Sequence, residues 1–91
     1  MPPEKAQTIA LRGIAFIFAE DALRDRFLAL SGVDGMDIKT RIEDPAFLAS
    51  TLEFLISHEP DLIACSDAIG ETPEVLVRAW RALGGGEGQE W

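Results

Sequence analysis

Few side chains in this sequence are suited to act as nucleophile, base or metal ligand. There is one His, His58, one Cys, Cys65, and 16 Asp and Glu among 91 residues. His58 stands beside Glu59 and Asp61, and an imidazole with two carboxylates is a set that holds a divalent metal. Pro60 marks this point as a helix junction, however. Carboxylates are expected there in any case, because exposed N–H groups and the helix dipole favour negative charge. A structural role for the cluster is therefore the expectation. A Cys–His pair of nucleophile and base needs a partly exposed thiol in electropositive surroundings. The neighbours of Cys65 are apolar and acidic, which raises a thiol pKa and points to a buried packing role. The stretch Asp34-Gly35-Met36-Asp37 lacks the regular oxygen ligands and terminal Glu of a calcium loop. No phosphate-cradling glycine loop precedes a helix. The expectation is a protein that is not an enzyme, with no catalytic, cofactor-binding or metal-binding residue and no cofactor.

Composition sets the frame around these residues. With 47% apolar residues the chain suits one small globular domain, since burial by Leu, Ile and Phe can offset the cost of ordering the backbone. One Cys forms no internal disulfide, so a reducing cytoplasm is the expected setting. The most apolar run, Ile9 to Ala19, is interrupted by Arg12 and falls short of the roughly 20 residues of a membrane span. Lys5 ahead of that run resembles a signal peptide, but Glu4 and Arg12 spoil the pattern.

Charge is distributed unevenly. Residues 1–41 carry six acids and six bases, and residues 78–91 carry two of each. Between Arg41 and Arg78 there is no Lys or Arg, and eight acids there account for the net charge of −8. In one reading these acids are helix caps: Asp44, Glu59, Asp61, Glu71 and Glu74 all fall near helix starts. In the other, Glu53, Asp67, Glu71 and Glu74 form an acidic surface facing a basic protein, or the more balanced N-terminal half of a second copy.

The elements that must position these residues are helices, because no run alternates with period two and each apolar segment has a start and a stop signal. The first is expected from Pro3 to Glu20. It has one apolar face with Ile9, Gly13, Phe16 and Ile17 and another with Leu11, Ile14, Ala15 and Phe18, so it is either central or partly a subunit contact. Gly13 suggests close approach by another backbone. Asp21 caps the second helix, with Leu23, Phe27 and Leu30 on its stripe and Gly32 as a left-handed end. Asp34 caps a short third helix through Glu43. Asp44-Pro45 opens the fourth, with Phe47, Leu48, Leu52, Leu55 and Ile56 inward. Glu59-Pro60 opens the fifth, which ends at Gly70. Thr72-Pro73-Glu74 opens the sixth, with Leu76, Ala79, Trp80 and Leu83 inward and Gly84 to Gly86 as its end. The result is an all-α array of five or six helices over residues 1–86, without a sheet, followed by a mobile tail, 87–91. Its expected core is Ile14, Ile17, Phe27, Leu30, Phe47, Leu52, Leu55, Leu62, Ile69, Leu76 and Trp80.

The segment from Leu62 through Gly70 to Leu83 has the outline of a helix-turn-helix. Arg78 and Arg81 would be its nucleic-acid contacts. Glu71 and Glu74 open the same helix and would meet phosphates first, which argues against nucleic acid as a partner.

Asp44-Pro45-Ala46-Phe47-Leu48-Ala49 leading into Leu52-Glu53-Phe54-Leu55 is one recognisable block. Another is Thr72-Pro73-Glu74-Val75 leading into Arg78-Ala79-Trp80-Arg81-Ala82-Leu83-Gly84-Gly85. Together with Phe27-Leu28-Ala29-Leu30-Ser31-Gly32 they resemble a small alphaproteobacterial family, domain of unknown function three-five-seven-two. The resemblance covers nearly the whole chain and implies a bacterial, cytoplasmic setting. It brings no activity, cofactor or site residue. The functional expectation is thus a small acidic, non-enzymatic protein-interaction or regulatory module, able to form a homodimer, with no membrane association; the alternative is the helix-turn-helix nucleic-acid binder.

Overall fold

A computed structural model describes residues 1–86, so the tail expected at 87–91 lies outside the described residues. The fold is all-helical, with no strand among the described residues. Its helices are α1 (Pro3–Phe18), α2 (Asp21–Ser31), α3 (Ile38–Arg41), α4 (Pro45–Ile56), α5 (Glu59–Ile69) and α6 (Pro73–Ala82). A 3-10 turn, Gly35–Asp37, precedes α3.

Spacing of three and four residues puts Ala6, Ile9, Ala10, Gly13, Ile14 and Ile17 on one buried stripe of α1. This stripe makes α1 the central helix, packed against α2, α4, α5 and α6. Leu11 and Ala15 remain exposed, so the second apolar face is only partly covered. Gly13 does not serve a close backbone approach. A Cβ there would meet the side chains of Leu55, at 3.4 Å, and Leu52, at 3.8 Å.

Local grammar explains most of the boundaries. Asp44 accepts a hydrogen bond from the Ala46 N–H at 3.0 Å, Asp34 from Met36 at 3.1 Å and Thr72 from Val75 at 3.3 Å, each satisfying an otherwise unpaired donor. Gly32 and Gly70 close α2 and α5 with φ of 69° and 73°. Two caps are displaced by one residue. Glu20, not Asp21, occupies the N-cap of α2, and Asp21 pairs instead with Arg24 at 3.3 Å. His58, not Glu59, occupies that of α5. The first helix stops at Phe18, and the third breaks into the 3-10 turn and one α-helical turn ending at Arg41. Only Val33, Ile38 and Ile42 of that region pack on the core, too little apolar surface to hold a longer helix.

Of the expected core, Ile14, Ile17, Phe27, Phe47, Leu52, Leu55, Ile69 and Leu76 are buried. Leu62 and Trp80 are half-buried. Leu30 is 72% exposed, because α2 packs most closely along α1 and no described residue covers its last turn on the side facing α4. Trp80 lies against the glycines after α6, where a Cβ on Gly85 would overlap the indole ring. Those glycines therefore seat a ring as well as ending a helix.

Candidate functional site: a groove between α2 and α4

One face of α4 runs along an open cavity of about 720 Å³, with Phe47, Ser50, Phe54 and Ser57 at helical spacing. The opposite wall is the C-terminal half of α2, from Arg26 to Ser31, and the segment after it closes one end with Val33 and Arg41. The two helices meet through aromatic rings at the base. Phe27 stands edge-to-face on Phe54, with centroids 5.2 Å apart, and on Phe47 at 6.0 Å. Phe18 abuts the same ring from α1 at 6.3 Å. This cluster holds α2 and α4 apart at a fixed separation and leaves an apolar floor between them.

At one end Arg26 joins the floor to the acidic half of the chain. Its guanidinium stacks 5.0 Å from the Phe54 centroid and pairs with Asp61 Oδ2. His58 Nδ1 lies 3.0 Å from the same oxygen. Asp61 is 18% exposed and His58 54%, so the carboxylate is the sheltered member and the imidazole edge opens on the groove. A carboxylate-held imidazole is half of a hydrolytic constellation, but among the described residues no hydroxyl or thiol is hydrogen-bonded to it. The Ser50 and Ser57 hydroxyls donate to the Phe47 and Glu53 carbonyls, each at 2.7 Å. Cys65 is fully buried about two helical turns beyond His58, roughly 10 Å along the axis. Burial pushes its thiol up from the ordinary 9.0 to about 11, against an opposing pull from the Arg12 charge. His58 and Cys65 thus do not form a reactive pair, and no group of three or more His, Cys, Asp or Glu is placed to hold a metal among the described residues.

The acidic residues do not converge on one site. Glu53 lines the groove, whereas Asp67, Glu71 and Glu74 flank the turn between α5 and α6 and take no part in its walls. Nor is the base-free stretch base-free in space. Arg12, from α1, donates to the Ile69 carbonyl at 2.5 Å, and its charge suits the C-terminal end of α5. Arg26 serves Asp61 in the same way. Arg78 and Arg81 are exposed on α6 without ion pairs among the described residues, and Arg81 lies 5.7 Å from the Trp80 ring. Sequence reasoning missed the groove itself and Phe54. The available signal was α4, whose Phe54 adds a further apolar side to an already apolar helix and so requires cover on more than one face.

No helix of the described residues is long and apolar enough to cross a membrane. Fold and groove define a small all-helical protein with a cleft floored by aromatic rings. Residues 3–86 match the model of the family described as Protein of unknown function (DUF3572), and the chain belongs to that family. No curated protein and no solved structure matches it.

Proposed function

We propose that this protein is a non-enzymatic interaction module whose working surface is the groove between α2 and α4. The observation that carries the reading is a preformed apolar trough with both helix walls in place and no activated nucleophile in it. Such a trough suits the apolar face of another protein element, in the way helix-binding grooves take an amphipathic segment. Leu30 on the rim supports the same reading, since an apolar position left uncovered beside a cavity gains from a partner. The test is site-specific photo-crosslinking in living cells. A photo-reactive residue at Ser50, inside the groove, is expected to form a covalent adduct with a polypeptide, while one at the exposed Thr8 on α1 gives none. Absence of any adduct from Ser50 would overturn the reading.

A second reading is duplex DNA bound by α6, supported by the exposure of Arg78 and Arg81. It is weaker because Glu71 and Glu74 lead the same helix, and phosphate attraction requires a basic surface.

A further inference from the structure

We infer that the element filling the groove is a second copy of this chain, in a two-fold dimer where Leu30 of each copy enters the trough of the other. The inference rests on the groove being the interaction surface and adds what occupies it. A two-fold contact uses one patch twice, so that patch must be its own complement. Shape meets this requirement. Leu30 stands 72% exposed on the rim, and Met36, 87% exposed, projects from the 3-10 turn between Val33 and Arg41. An apolar knob, Leu30, therefore stands beside an apolar hollow on the same face and is not spent inside the monomer, and Met36 adds a second exposed apolar side chain on the segment between Val33 and Arg41.

Charge meets it as well. Arg41, Asp44 and Glu53 line the groove, and none makes an ion pair among the described residues. The Asp44 carboxylate is engaged as the N-cap of α4, where it accepts from the Ala46 N–H, which leaves Arg41 and Glu53 as the couple not otherwise held. Two-fold symmetry turns this one unpaired couple into two pairs, Arg41 of each copy with Glu53 of the other. A basic protein would instead meet Arg41 uncompensated, and an apolar acid such as a fatty acid would leave Glu53 facing its hydrocarbon. Arg26 does not alter the balance, because Asp61 already neutralises it.

The test is sedimentation of the purified full chain over a wide concentration range. The wild type is expected to form a concentration-dependent dimer, and Leu30→Glu to raise its dissociation constant at least about tenfold, as loss of a buried anchor does. Arg41→Glu and Glu53→Arg, each placing like charges together twice, are expected to weaken the dimer by about tenfold, and the double variant to recover most of the wild-type affinity. All three positions are exposed, and circular dichroism of each variant is the check that it folds. A wild type that stays monomeric throughout overturns the dimer. If the Ser50 probe then still captures a different polypeptide, the groove survives as the interaction surface. A dimer indifferent to Leu30→Glu and to both charge reversals overturns the inference, and the groove reading falls with it if Ser50 also yields no adduct.

Discussion

The thiol of Cys65, raised to about 11 by burial, makes stability depend on pH in a calculable direction. Unfolded chains release this proton near 9.0 while the folded protein keeps it, so rising pH draws the equilibrium toward the unfolded state. The contribution is complete below about 9 and is lost between about 9 and 11, by roughly 2 to 3 kcal/mol in all. Urea denaturation at a series of pH values is expected to show this decline in the wild type and a flatter profile in Cys65→Ala over the same window. An identical slope in the two proteins would show that the thiol is not enclosed. Elsewhere at this scale, the Arg26 side chain joins three groups: the Phe54 face, Asp61 and, through that carboxylate, His58. The sequence places Phe54, His58 and Asp61 28, 32 and 35 positions from Arg26, and only the folded backbone brings them together.

Among the elements, α1 carries most of the packing, and Gly13 is its weakest position by helix propensity. Because a Cβ at Gly13 would touch Leu55 at an ordinary contact distance, Gly13→Ala is expected to raise stability by about 0.5 to 1 kcal/mol, seen as a higher urea midpoint. A lower midpoint would mean that the packing of Leu55 and Leu52 against α1 does not accept the added methyl group. The helix boundaries at Asp44-Pro45, Thr72-Pro73, Gly32 and Gly70 were legible from residue type alone, since these residues act through their own backbone within one turn, whereas the N-caps of α2 and α5, the end of α1 and the break before α3 were not. Burial was less legible. The spacing of Leu23, Phe27 and Leu30 is that of one apolar stripe, but periodicity says which positions share a face and not how far along the face a neighbour reaches. Leu30 lies beyond that reach, and Trp80 depends on a glycine turn whose conformation no spacing rule supplies. The groove was hidden for the same reason, being a space between elements far apart in the chain.

For the molecule as a whole, electrostatics separates the two functional readings. With a net charge of −8 and cations such as Arg12 and Arg26 already engaged within the fold, a phosphate backbone meets repulsion over most of the surface. No mobility shift of duplex DNA is expected even at low salt; a shift abolished by Arg78→Ala and Arg81→Ala would instead establish α6 as a reading helix. The central position of α1 also bears on synthesis. α1 is made before all the helices that cover it, so its oily stripe is fully covered only once α6 has been made, some 64 residues after Phe18. At elongation rates of about 5 to 20 residues per second, that leaves several seconds in which a holdase chaperone competes with the protein's own final helix.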